Sequence, residues 1–246
     1  MSVATLDLAA PPAEIPPPVV RDMTTADWVG QMLRELEPGL TVTLTGVSWD
    51  RYAKLVELRD RERPGLKICY DRGELSVMTI SSPHDRLKYY LSRVVDTISE
   101  ELGLEVVGQG QTSVSREDLE RGFEPDAWFY VQNAARMRDR RDLNFAVDPP
   151  PDLAVEVELS RDLTTRLPAY AAVGVREIWR HDGEVLTVVE LQPDGAYRAV
   201  SQSPAFPTVP LALIPAVIAE ADRDGSVVAF KQFREALREL GRGNRP

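Results

Sequence analysis

The segment from Leu153 to Ser160 constrains the fold more than any other part of the chain, because apolar and polar side chains alternate along it. Side chains of a β-strand point to opposite faces in turn, so the odd-numbered residues up to Leu159 are predicted to pack into a core. The opposite face then carries Glu156 and Glu158. Two carboxylates on one face of an otherwise apolar strand repel each other and are costly to desolvate. We therefore expect water, a counter-charge or a metal to compensate them, and Mg²⁺ suits oxygen ligands of this kind.

An exposed edge strand gives the same alternation, with both glutamates merely solvating one face. A second segment favours the metal hypothesis. Glu124-Pro125-Asp126 begins another predicted strand, Pro125 to Val131, which contains three consecutive aromatic residues typical of a sheet interior. If the two strands are neighbours, Asp126, Glu156 and Glu158 converge on one point.

The remaining segments predict strands and helices that alternate along the chain. Helices are expected at Thr25 to Glu35, Ser48 to Asp60, Pro83 to Leu102, a short segment from near Arg166 to Val173, and Val227 to Leu240. Further strands are expected at Leu66 to Tyr70, Glu74 to Ile80, Leu104 to Val107, Thr112 to Val114, Arg176 to Arg180, Val185 to Leu191 and Tyr197 to Val200. This intermingled order indicates an α/β domain rather than a sandwich or a bundle.

The domain organisation follows from composition. Prolines in the first 18 residues leave no room for regular structure, so we predict a disordered Pro-rich segment at 1–22, one domain at 23–222, and a C-terminal helix and tail at 223–246. The start has neither a basic region nor a continuous apolar run, as a signal peptide requires, and no segment is apolar enough to span a membrane. We therefore expect a cytoplasmic protein that does not bind membranes.

Charge and cysteine content exclude several functions. The net charge of −10 argues against broad, sequence-blind binding of nucleic acid. The arginines within 136–141 have two interpretations, a local basic surface or an ordinary solvated face. The single Cys69 excludes an intrachain disulfide and a zinc site with several thiolates. The sequence has no Gly-rich phosphate loop, which excludes nucleotide hydrolysis of the P-loop kind.

The two acidic segments resemble the motifs of a known superfamily. Restriction-endonuclease-like hydrolases carry Pro-Asp on one strand and (Asp/Glu)-x-Lys on the next, where this chain has Pro125-Asp126 and Glu156-Val157-Glu158. From about Tyr70 to Pro210 the chain is similar to the Uma-two family of endonucleases. The motifs that carry this similarity are Asp71-Arg72-Gly73-Glu74-Leu75, Ser82-Pro83-His84, Phe123-Glu124-Pro125-Asp126, the segment Pro151 to Glu158, and the segment Tyr170 to Trp179.

This resemblance implies a restriction-endonuclease-like mixed β-sheet flanked by helices. It also implies a metal-dependent phosphodiester hydrolase acting on nucleic acid, with DNA the expected substrate. Asp126 and Glu156 would bind Mg²⁺ or Mn²⁺, with the backbone carbonyl of Val157 as a further ligand. Members of the superfamily often act as dimers, so a homodimer is a further expectation.

The chain departs from the superfamily at the lysine. Glu158 stands where (Asp/Glu)-x-Lys places it, and no lysine occurs between Lys88 and Lys231. We therefore predict that Glu158 orients or deprotonates the attacking water. Family members often place a basic residue in the following helix, which Arg166 matches here; an arginine cannot act as a base but can stabilise phosphate.

Three other residues of the family motifs are candidates. His84, at the start of the strongest predicted helix, and Tyr170, four residues after Arg166, are predicted to contact substrate. Glu74 is a candidate accessory carboxylate near the metal. The alternatives are a histidine without chemistry in the first helical turn, a tyrosine that packs in the core, and a glutamate at an exposed strand start.

Two other functions stay open at this point. A nuclease-like fold used for binding or regulation without turnover would explain the missing lysine and the acidic balance. A structural protein that assembles through the strands after Gly174 has only generic support.

Overall fold

The computed structural model describes residues 41–62, 65–159 and 166–243. The helix predicted at Thr25 to Glu35 and the Pro-rich segment at 1–22 lie outside the described residues. Within the described residues, no helix is both long and apolar enough to cross a membrane.

Eleven strands and six α-helices are present in the described ranges. The strands are β1 (Thr41–Leu44), β2 (Leu66–Asp71), β3 (Glu74–Thr79), β4 (Val107–Gly108), β5 (Val114–Arg116), β6 (Arg121–Phe123), β7 (Ala127–Tyr130), β8 (Leu153–Val157), β9 (Glu177–His181), β10 (Leu186–Leu191) and β11 (Tyr197–Ala199). The helices are α1 (Trp49–Glu62), α2 (Ser82–Leu102), α3 (Ala134–Met137), α4 (Leu167–Val173), α5 (Leu213–Asp224) and α6 (Ser226–Gly243), with a 3₁₀ turn at Glu117–Leu119.

The strands form two sheets. The first is antiparallel with the order β1-β3-β2-β6-β5, and the second has the order β11-β10-β9-β8-β7-β4. In the second sheet β8 and β9 are parallel and the other neighbours are antiparallel. The predicted mixed α/β architecture is confirmed. The sequence did not reveal that the strands divide into two sheets, because β1 and β6 of the first sheet are too short to show a period.

The two faces of β8 confirm the predicted alternation as far as Val157. The predicted packing of Leu159 is wrong, because this residue lies beyond the end of β8 and is 39% exposed. Leu153, Val155 and Val157 lie in a core that the second sheet forms with α2, α5 and α6. Ala154 faces the other way, into a core that lies between the sheets and includes residues of α4. A third cluster packs the outer face of the first sheet against α1.

Helix α2 begins and ends close to its predicted limits. Its buried residues repeat every three or four positions: Leu87, Leu91, Val94, Val95 and Ile98. Ser81 takes the N-cap position, one residue before the predicted Ser82, and Gly103 ends the helix in the left-handed conformation at φ 65°.

The helix α5 was not predicted, because Pro215 interrupts the apolar pattern around it. Proline is tolerated in the first turn of a helix, and here it occupies the third residue of α5. Helix α6 contributes Ala229, Phe230, Phe233 and Leu237 to the same core as α2.

A buried ion pair fixes the strand that follows the Pro-Asp motif. Arg59 of α1 donates through two nitrogens to Glu124, and their side chains are only 4% and 8% exposed. Arg59 also donates to the carbonyl oxygen of Leu66, at 2.7 Å, and Ser113 donates to Glu124 at 2.9 Å. Helix α1 and the start of β2 are thereby tied to the residue two positions before Asp126.

We predict that Glu124→Ala lowers the free energy of unfolding by about 3–5 kcal/mol, because it leaves the buried guanidinium of Arg59 without its counter-charge. Urea denaturation monitored by circular dichroism measures this loss. Glu105→Ala is the matched control: it also removes a two-nitrogen arginine pair, with Arg138, but an exposed one that should contribute about 0–1 kcal/mol. Equal losses in the two variants would contradict the prediction.

Candidate active site

Asp126 and Glu156 meet at the end of the β7–β8 ladder. In this antiparallel pair Ala127 lies opposite Val155, so Asp126 and Glu156 are the next opposed residues. Opposed residues of antiparallel strands project to the same face. Both carboxylates are fully buried, with 0% exposure.

A lysine from the other sheet joins the two carboxylates. The Nζ atom of Lys67, in β2, donates to Asp126 Oδ1 at 2.9 Å and to Glu156 Oε2 at 3.3 Å. Its side chain is 5% exposed. The ammonium is therefore buried between two carboxylates that belong to a different sheet.

Alternation along β2 explains why Lys67 points there. Leu66, Ile68 and Tyr70 belong to the core under α1. Cys69 lies in the core between the sheets. Lys67 shares the face of Cys69 because side chains two positions apart on a strand project to the same side.

Further donors hold each carboxylate in place. Asp126 Oδ2 accepts from the backbone N–H of Val157 at 2.8 Å, and His84 Nε2 lies 3.2 Å from the same oxygen. Tyr170 donates its hydroxyl to Glu156 Oε1. The Nη2 atom of Arg166 lies 3.7 Å from Glu156 Oε2.

The acidities of the two carboxyl groups diverge. Burial raises the pKa of both, but at Asp126 the charge of Lys67 and the hydrogen bond from His84 outweigh it and hold the pKa below its usual range. At Glu156 burial prevails over the charges of Lys67 and Arg166, so the pKa is raised. The same carboxylates raise the pKa of Lys67 although burial opposes this, so its ammonium stays protonated at neutral pH.

The donor set suits Mg²⁺ or Mn²⁺, because two carboxylates are the hard oxygen ligands that these ions prefer. The described residues contain no group of three or more His, Cys, Asp or Glu side chains that could hold a metal. The predicted convergence of three carboxylates is therefore wrong: two converge, and the third partner is an ammonium.

Glu158 is the predicted carboxylate that does not lie with Asp126 and Glu156. Strand β8 ends at Val157, and both oxygens of Glu158 accept from Arg180 of β9, at 2.7 and 2.9 Å. Its backbone N–H donates to the carbonyl of His181. Glu158 is thus held to the neighbouring strand, and its predicted role as the base has no geometric support.

The other predicted residues fall into three groups. His84 and Arg166 reach the carboxylates, as described above. Tyr170 also does, but it is fully buried and stacked on Phe123 with ring centroids 4.0 Å apart. The predicted substrate contact of Tyr170 is therefore corrected to a hydrogen bond that orients Glu156.

Glu74 does not reach the site. It is exposed at the start of β3 and lies opposite Asp71 beside the hairpin turn. Lys67 lies four residues before Asp71 in β2, so the backbone positions of Lys67 and Asp71 are roughly 13 Å apart at the usual rise of a strand. The predicted role of Glu74 as an accessory carboxylate near the metal therefore has no geometric support.

The arginines of 136–141 supply little free basic surface. Arg138 pairs with Glu105, Arg140 lies 3.4 Å from Asp148, and Arg136 donates to the carbonyl of Val147. These contacts favour the solvated face that was one of the two alternatives.

Sequence reasoning missed Lys67 because it sought a replacement lysine only after Lys88. A signal was present: Lys67 is the one charged residue between Leu66 and Tyr70. A cation inside an apolar strand needs a buried counter-charge, and the unpaired acids of β7 and β8 needed a cation.

A family model of restriction endonucleases matches this chain. The model is Uma2, described as "Putative restriction endonuclease", and it matches residues 49–220, which is more than half of the chain. The chain belongs to this family. Uma2 membership confirms the resemblance predicted from the motifs, and the matched range contains every site residue named above.

One solved structure similar to this Uma2 protein is described as a putative nuclease belonging to DUF820 from Anabaena variabilis. It has a TM-score of 0.48 and 13% sequence identity, and the match covers 69% of this chain and 98% of that one. The comparison with curated proteins found no match.

We predict that Lys67→Met lowers the free energy of unfolding by about 3–5 kcal/mol, because it leaves two buried carboxylates without their shared cation. Adding Glu156→Gln to this variant should restore part of the loss, since one of the two charges is then removed. Urea denaturation of the two single variants and the double variant gives the coupling energy.

Lys54→Met is the matched control. Lys54 is an exposed lysine of α1, and its replacement should change stability by no more than about 0.5 kcal/mol. The assignment of Lys67 as the shared cation fails if both lysine variants lose the same stability, or if the second substitution adds to the loss.

Proposed function

We propose that this protein is a metal-dependent hydrolase of nucleic-acid phosphodiesters. The observation that carries the proposal is the Lys67 ammonium held between Asp126 and Glu156. Uma2 membership supports a nuclease. Lys67 also supplies, next to the two carboxylates, the lysine that is missing from the Glu156-Val157-Glu158 motif.

Asp126 and Glu156 would hold the divalent ion, Mg²⁺ or Mn²⁺. When bound, the ion supplies a Lewis acid that polarises the scissile phosphate and lowers the pKa of a coordinated water. The backbone N–H of Val157 and the hydroxyl of Tyr170 keep the two carboxylates oriented toward each other.

Lys67 and Arg166 would stabilise the charge that develops on the phosphate. Lys67 is protonated, so it acts as a cation and hydrogen-bond donor rather than as a base in the resting site. Fixed donors of this kind are worth most in a site closed to water, and both side chains are largely buried, at 5% and 12% exposure.

The charge balance predicts that metal and substrate bind together. Two carboxylates already face two cations, Lys67 and Arg166, so an added divalent ion gives the buried site an uncompensated double positive charge. A phosphate brings negative charge and offsets it. We therefore expect weak metal binding without nucleic acid and stronger binding with it.

The runner-up, a module that binds without turnover, loses its main support once Lys67 supplies the missing lysine. The net charge of −10 still favours limited contact with the nucleic-acid backbone. DNA is the expected substrate, and a homodimer stays a prediction.

We expect purified protein to cleave DNA in Mg²⁺ or Mn²⁺ and not in EDTA. Lys67→Met and Glu156→Gln should each lower kcat by about 10²-fold or more, because the first removes a cation that faces the developing charge and the second removes the charge of a proposed metal ligand. Glu158→Gln is the matched control for Glu156→Gln and should keep most of the activity, since Glu158 is bound to Arg180.

Cleavage of plasmid and linear DNA, followed on gels with single-turnover kinetics, measures these effects. Absence of cleavage with every DNA and RNA substrate in either metal would contradict the proposed function. A loss in Glu158→Gln as large as that in Glu156→Gln would restore Glu158 as the base.

A further inference from the structure

Lys88 lies next to the candidate active site, and its ammonium is not bonded to any described residue. It lies on α2 one turn after His84, so the two side chains share one face of the helix. Lys88 is half-buried, and no hydrogen bond or ion pair joins it to another residue in the described part of the chain.

The environment of Lys88 links it to the site. Burial is the main cause that lowers the pKa of its ammonium, and the charge of Lys67 lowers it further. Asp126 and Asp85 act in the opposite direction. The ammonium therefore lies within the electrostatic field of the buried Lys67–Asp126 pair.

His84 adds an independent observation. Its Nε2 atom faces Asp126, whereas Nδ1 is buried and has no hydrogen-bond partner among the described residues. Buried polar atoms almost always have a partner, so an unpaired one beside an unpaired cation indicates a position for a ligand.

Cations elsewhere on this helix are already engaged. Arg86 lies 3.4 Å from Asp222, and Arg93 lies over the ring of Phe230 at 3.9 Å from its centroid. Lys88 is thus the cation of α2 left to meet an incoming anion. A partly desolvated ammonium gains most from a partner that carries a full charge.

We propose that Lys88, next to His84, binds a backbone phosphate of the nucleic acid beside the scissile one. This inference rests on the proposed function, because it assumes a polyanion whose phosphates follow one another past Asp126. Lys88 would position the strand, while Lys67 and Arg166 face the reacting phosphate. Its contact is with the backbone, so it would act on every sequence alike.

Salt dependence of binding tests this proposal without cleavage. The full-length protein is titrated into a fluorescein-labelled DNA duplex in EDTA, and anisotropy gives the affinity between about 50 and 200 mM salt. Each phosphate contact contributes about 0.9 to the slope of log affinity against log salt. Lys88→Met keeps the apolar stem and removes the charge, so its slope should be shallower by about 0.9.

Two variants serve as controls. Lys88→Arg keeps the charge and should keep the wild-type slope. Lys231→Met removes a solvent-facing lysine of α6, and it should also keep that slope. Thermal unfolding of each variant confirms that the chain is folded at the temperature of the titration.

The outcomes separate the two claims. A wild-type slope in Lys88→Met, with normal binding by the wild type, would overturn the phosphate contact and leave the proposed function intact. An equal reduction of the salt slope in Lys88→Met and Lys231→Met would also overturn it, because the effect would then come from the overall charge of the protein. If the wild type binds no DNA at low salt in EDTA, the phosphate contact is overturned, whereas the metal-dependent cleavage assay still decides the proposed function.

Discussion

The structure depends on an ammonium that is buried between two carboxylates of a different sheet. Asp126, just before β7, and Glu156 of β8 lie side by side and are both fully buried. Without a cation the two charges would repel each other in a medium of low polarity. Lys67 supplies that cation from β2, so the site exists only where the two sheets pack together. Two acids of one sheet thus meet a lysine that comes from an earlier strand of the other sheet.

Two further sets of contacts fix this arrangement. Arg59 and Glu124 tie α1 and β2 to the beginning of β7. Tyr170 of α4 holds Glu156 from the inter-sheet core. Because these contacts join elements far apart in sequence, the carboxylates and the lysine are positioned before any substrate arrives. Such preorganisation is what the proposed stabilisation of a developing phosphate charge requires.

Much of the second sheet could be predicted from the sequence, and the partner of its acids could not. The alternation from Leu153 onward places Glu156 and Glu158 on one face of a strand, and the strand predicted after Pro125, together with the family motif, adds Asp126. The prediction for Glu158 failed because the pattern does not show that β8 ends at Val157. Beyond that point Arg180 donates to the Glu158 carboxylate. Lys67 was missed for a different reason. Its place in an apolar strand signals a buried counter-charge but does not say which one, because periodicity within one strand carries no information about the neighbouring layer.

The titration of Lys67 tests this account most directly. The chain contains four lysines, so NMR of protein labelled with ¹³C at the lysine Cε gives few signals, and Lys67→Met assigns the one of interest. The two carboxylates predict a pKa for Lys67 above the ordinary lysine value of about 10.4, with the charged form retained as long as the protein stays folded. A Lys67 signal that titrates at or below that value in the folded protein would contradict an ammonium shared by Asp126 and Glu156.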